Sequence, residues 1–241
     1  SKRLQAEKDD KSGRSDTVKQ KTKSNVKKEV KGQFQTTYDP TSGGISVDTV
    51  TPNNQKENTK KALIRLSKKV GDLDDYVKEG LKYKSKRDLF RAFSAEQIDA
   101  LALAIDNAKE GKSLIVADQT GVGKGRVGAG MVRYALKNGK TPIYMTEKGG
   151  LFTDHFRDLN DIYLGEKLPV PLVINNSKES EIVDPNFVEK KGMKRKRFDN
   201  ILHRKTTNQK KEFTSKLKEK RYDELMEGKD FILTTYLQLS E

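Results

Sequence analysis

The stretch SLIVADQTGVGKGRVGAGMVRYALKN, residues 113–138, constrains this 241-residue chain more than any other. An apolar pentapeptide, SLIVA (113–117), predicts a fully buried strand. A glycine-rich turn follows, and GKGRVGAGMVRYALKN then carries the apolar spacing of a helix. Strand, tight turn and helix start together bring backbone N–H groups and a helix dipole onto one point, which suits a phosphate. Gly121 and Gly123 give the turn the backbone freedom that side chains deny, and Lys124 is placed to reach the outer phosphates of a nucleotide. With each fixed type of the core T-G-x-G-K (Thr120, Gly121, Val122, Gly123, Lys124) at ~7% abundance, a chance match in a chain this long has odds of about half a percent. Coincidence is therefore the weaker reading. The strict G-x-x-x-x-G-K-[ST] form is not met. Asp118 stands at the first glycine, and Gly125 stands where a hydroxyl would hold Mg2+, a loss that bears on hydrolysis more than on nucleotide binding.

The flanks extend the pattern. ALIRLSKKV and DLDDYVKEGLKY predict two short helices, and a longer one is entered by SAEQ (94–97) and stops near Gly111. After the glycine-rich turn, TPIYMT (141–146), PLVIN (171–175) and the start of DFILTTYLQL (230–239) read as strands. GLFTDHFRDLNDIY between the first two reads as a helix with Leu151, Phe152, His155, Phe156 and Leu159 inward. Strands alternating with helices predict an α/β fold with a mostly parallel sheet. Residues 1–58, rich in Lys, Ser, Thr and Asn, are expected to form a basic arm that is largely disordered or ordered by a partner. Residues 59–92 are a helical lead-in, and 93–241 are the first part of a nucleotide-binding lobe.

Charge separates these regions. Residues 1–35 hold 11 Lys/Arg against 5 Asp/Glu, and residues 186–221 hold 14 against 4, so these segments carry +6 and +10 of a net +14 and the remainder, at −2, is near neutral. A polyanion is the natural partner; solvation of the chain by lysine is the plainer alternative. In the second segment Lys194, Arg195, Lys196 and Arg197, with sparse aromatics Phe198 and Phe213, suit a sequence-independent contact with DNA phosphates, though KRKR also resembles a nuclear-localisation signal. The chain has no cysteine and two histidines, which excludes disulfides and thiolate metal sites. Its longest apolar runs fall far short of the ~18 residues of a membrane span, and a cytoplasm-like compartment without membrane contact is expected.

ADQTGVGKGRVGAG resembles the first motif of superfamily-2 helicase-like ATPases, most closely the Strawberry notch branch, where G-x-G-K-G-R is the usual loop. The resemblance implies a partial RecA-like P-loop lobe, ATP and Mg2+ as ligands, and Gly125 and Arg126 as features of the branch. Upstream, Phe93 and Gln97 match an aromatic and a glutamine that read adenine. Ser94-Ala95-Glu96-Gln97 is equally a helix capping box, and the two roles are compatible. Downstream, Thr146, Lys148 and Gly149 match a segment touching nucleic-acid backbone, and Thr234, Thr235 and Tyr236 match the T-T-Y strand of that branch. The match covers residues 93–239.

The D-E-x-x motif and the second motor lobe of such ATPases are missing. Asp223-Glu224, which superficially matches D-E-x-x, follows KLKEKR rather than a buried strand and reads as a solvated helix face. Asp184-Pro185-Asn186-Phe187 reads as a loop. The expectation is the N-terminal part of a larger DNA-dependent ATPase, phage or bacterial, whose remaining domains complete the hydrolase and which resides in a bacterial host or a virion. The alternative is a structural or packaging DNA-binding protein with a vestigial nucleotide site; a small P-loop kinase fits the missing hydroxyl and the basic segment poorly.

Overall fold

The computed structural model describes residues 34–116, 123–175, 181–187, 201–203, 205 and 207–239. Two short strands, β1 (Gln35–Thr37) and β2 (Val50–Pro52), pair antiparallel. Four helices follow: α1 (Asn53–Val70), α2 (Leu73–Leu81), α3 (Lys86–Ala92) and α4 (Ala95–Lys109). Their starts are written locally. The side chains of Asp72 and Ser85 accept the backbone N–H three residues on, and Ser94 with Gln97 closes the full capping box, which satisfies N–H groups that have no intrahelical partner. Apolar stripes from these helices, Leu63, Leu66, Val77, Leu81, Leu89, Ile98, Leu101 and Ile105, meet in the main core.

The second half runs through α5 (Lys124–Lys137), β3 (Ile143–Thr146), α6 (Leu151–Tyr163), β4 (Pro171–Ile174), a small β5–β6 ribbon (Ile182–Val183 with Ile201–His203), α7 (Thr207–Lys218), α8 (Tyr222–Met226) and β7 (Phe231–Thr235). Strands β3, β7 and β4 form a parallel sheet in that order, with Tyr144 and Val173 both in register with Leu233. That row faces the main core, together with Phe152, Phe156 and Leu159 of α6. The opposite row splits: Leu172 and Ile232 are covered by Phe213 and Leu225 of α7 and α8, whereas Ile143 and Met145 of β3 stay 58% and 42% exposed. The molecule is thus mixed α/β with a parallel sheet, as the strand-helix alternation predicts. Among the described residues no helix is long and apolar enough to cross a membrane.

Five expectations change. Ser113–Val116 forms no strand, and Ile115 is 88% exposed. A buried strand needs ladder partners on its edges to satisfy its backbone, and no described strand pairs with this one. Instead the chain turns at Gly111 (φ +69°), and Asn107 Nδ2 donates to Ser113 O at 2.9 Å. Secondly, residues 34–58 belong to the body and not to a disordered arm; residues 1–33 lie outside the described residues. Buried carboxylates hold the 38–47 segment. Asp99 accepts from Tyr38 Oη and the N–H groups of Thr41 and Ser42, Asp74 from Ser42 Oγ and Gly43 N–H, and Glu96 from Ser46 Oγ and Val47 N–H. Thirdly, Phe213 is a core side chain against Leu172 and not an aromatic open to nucleic acid. The lead-in also contains a third helix, α3, and Leu151 points outward, 43% exposed.

Candidate functional site

The start of α5 carries a glycine cap. Gly123, at φ +79°, is its N-cap and contributes no side-chain hydrogen bond to the first turn. Only glycine adopts that backbone region without strain. Lys124, the first residue of the helix, is exposed. Thr120, Gly121 and Val122 lie outside the described residues, so the loop is seen from its helical end only.

Two neighbours press on this turn. Gln97 Nε2 donates to Gly123 O at 3.4 Å while its Oε1 accepts from Ser94 N–H at 3.0 Å, so one amide joins the α4 cap to the loop. A Cβ on Gly123 would overlap Gln97 Nε2. Gln97 is therefore next to the loop, as an adenine reader must be, while its carbonyl is used by the cap. Phe93 is 2% exposed and meets Tyr83 edge-on within the core, which takes it away from any adenine.

The other neighbour is α6. A Cβ on Gly125 would overlap Asp158 Oδ2, so the carboxylate sits in the space of the absent side chain. Arg126 pairs with Asp161, one turn further along α6, and so braces α5 against α6. Burial is the main influence on Asp158 and raises its carboxyl above the ordinary aspartate range, against the opposing pull of Arg157 and Arg126. Sequence reasoning missed Asp158 and Asp161. The glycine at the hydroxyl position signalled that something must take its place, but spacing alone could not pick one acid on α6.

A second group lies at the carboxyl ends of the parallel strands, the edge where open α/β sheets place their ligands. Thr146 is in register with Thr235. Thr146 Oγ1 donates to Lys148 O at 2.8 Å, shaping the turn that enters α6, with Lys148 outward, its side chain 70% exposed, and Gly149 buried. Tyr236 is 60% exposed beyond the end of β7. Thr235 is 3% exposed, and Thr234 is fully buried with its hydroxyl donating to Ile174 O at 3.2 Å, so Thr234 serves strand pairing and has no surface to offer a nucleic acid. Tyr144 is half-buried beneath this edge, and burial pushes its phenol up, with Asp158 and Tyr236 adding to the shift.

Lys194, Arg195, Lys196 and Arg197 lie outside the described residues. The described remainder of the basic segment is partly neutralised: Lys216 pairs with Glu212 at 2.9 Å, and Arg221 with Glu224 at 2.5 Å. Asp223 and Glu224 lie on an exposed face of α8, as expected. Comparison of the chain with protein-family models, curated proteins and solved structures finds no match.

Proposed function

We propose that this chain is part of a DNA-dependent ATPase of the superfamily-2, Strawberry notch type, and that it binds the phosphates of ATP at the start of α5. The observation that carries the reading is the Gly123–Arg126 turn: a positive-φ glycine cap, no side-chain cap, an exposed Lys124 in the first turn, and Gln97 held against the loop. A helix start of this kind suits an anion. The residues suit a nucleotide in chemistry: an exposed Lys124 at a helix start offers positive charge to phosphates, and Gly123 and Gly125 let Gln97 and Asp158 come close to the turn. Bound ATP with Mg2+ would supply the phosphoanhydride that hydrolysis breaks. This chain would contribute Lys124 and the backbone to holding it, and a partial RecA-like lobe as the frame.

Nucleic acid would follow the carboxyl edge of the sheet past Thr146, Lys148, Gly149 and Tyr236, with the basic segment around residues 194–197 adding phosphate contacts that carry no base preference. The test is titration of a fluorescent ATP analogue with and without duplex DNA. Lys124→Ala should weaken nucleotide binding at least about tenfold, the scale of a lost charge-assisted contact. Equal affinity in both proteins would reject the reading. The departure of Ser113–Val116 from the sheet favours a second reading, a DNA-binding structural protein with a vestigial nucleotide site, in which DNA binds and ATP does not.

A further inference from the structure

We propose that the Asp158 carboxylate takes over the magnesium-binding duty that a Ser or Thr hydroxyl performs at position 125 of other phosphate-binding loops; the proposal rests on the reading of the α5 start as an ATP site. Three observations lead there. The first is position: a Cβ built on Gly125 would overlap Asp158 Oδ2 and lie 3.6 Å from its Cγ. The volume beside the Gly125 Cα that a Ser or Thr side chain would occupy is thus filled by an oxygen donor from α6. Gly125 and Asp158 are two halves of one arrangement, since the carboxylate can approach only because the side chain is absent.

The second is availability. Arg126, beside Gly125, is ion-paired to Asp161. Among the described residues Asp158 has one ion pair, to Arg157 Nη2 at 3.9 Å, although its side chain is only 17% exposed. A largely covered carboxylate whose ion-pair partner stands 3.9 Å away has room to accept a closer cation. The third is chemistry. Mg2+ takes hard oxygen ligands and is commonly held by one or two carboxylates together with substrate phosphates. Among the described residues no group of three or more His, Asp or Glu could hold a metal alone, so an ion at Asp158 would need phosphate oxygens to complete its shell.

A carboxylate facing a triphosphate repels it unless a cation lies between them. Asp158 should therefore help nucleotide binding in Mg2+ and hinder it without, a reversal that a purely structural residue does not produce. The experiment titrates a fluorescent ATP analogue into the wild-type chain, Asp158→Ala, Gly125→Ser and the double variant, each in Mg2+ and in EDTA. Asp158→Ala should lose about tenfold in affinity in Mg2+, the lower end of what a lost metal-orienting group costs, and bind as well as or better than wild type in EDTA. That EDTA affinity also shows that the variant is folded. Gly125→Ser should lose affinity because its side chain meets the carboxylate. The double variant should regain the magnesium effect, with the hydroxyl in the vacated space. An Asp158→Ala protein that keeps the full magnesium effect overturns the proposal and leaves the ATP site standing. A wild-type chain that binds the analogue in neither buffer removes both.

Discussion

Single residues in this molecule are charged or polar in places where burial makes that expensive, and each gives a measurable consequence. Arg133 is fully buried between the rings of Tyr83 and Tyr163, at 4.3 and 4.7 Å from their centroids, and donates to Leu81 O and Glu166. Its flat guanidinium serves stacking and two hydrogen bonds together, which an ammonium does not. Arg133→Ala should cost about 3–5 kcal/mol by urea unfolding, and Arg133→Lys should recover only a minor part. Two buried groups titrate in opposition. Burial pushes Asp99 up to about 6, against the hydrogen bonds that favour its charged form. As pH falls from about 6 toward 4, the folded state takes up a proton that the unfolded state does not, and Asp99 adds stability. Burial pushes His155 down to about 3, on a ring stacked against Tyr144 at 3.6 Å with no partner for either nitrogen among the described residues. Below pH 6.5 the unfolded state binds the proton first, and His155 removes stability. Asp99→Asn should therefore make the urea midpoint fall more steeply between pH 6 and 4, and His155→Phe should flatten that fall; identical slopes in all three proteins would contradict these assignments.

At the scale of elements, helices were legible because their signals are local. Ser94 and Gln97 marked the α4 start, Gly111 its end, and the spacing of Phe152, His155, Phe156 and Leu159 the inner face of α6. The three sheet strands were legible as apolar runs. Ser113–Val116 was misread because a run of apolar residues reports burial, while strand pairing depends on neighbours distant in sequence. β1, β2 and the 38–47 segment were missed for a related reason: their composition is that of a loop, and the carboxylates that fix them lie on α2 and α4. The close approach of α4 and α5 is a packing statement at this scale. A Cβ on Gly130 would lie 2.8 Å from Leu101 Cδ2 and 3.1 Å from Phe93 Cζ. Alanine there gains about 1 kcal/mol of helix propensity, offsetting a contact that a small shift of the Leu101 methyl groups, at the end of their side chain, relieves. Gly130→Ala should be near neutral, and Gly130→Val should cost about 1–3 kcal/mol through overpacking, as read by urea unfolding.

For the whole molecule, the charge map and the glycine-rich turn were both legible in the sequence, but they describe different parts. The turn lies on the α/β body, while much of the positive charge lies in residues 1–35 and 186–221, of which the described portion is partly paired. DNA binding through these segments should weaken linearly in log–log terms with salt and show no preference among duplex sequences of equal length; a salt-independent affinity would exclude a phosphate-based contact. What the sequence could not locate was the partner of Gly125, because Asp158 is separated from it by a helix, a strand and a turn. The central claim, that the start of α5 holds ATP, is tested most directly by thermal melting with and without Mg-ATP. At a concentration 100 times the dissociation constant the nucleotide should stabilise the wild-type chain by about 2.7 kcal/mol, and Lys124→Ala, at about tenfold weaker affinity, by no more than about 1.4 kcal/mol. Equal melting with and without Mg-ATP in the wild-type chain, across the millimolar range, would contradict the claim.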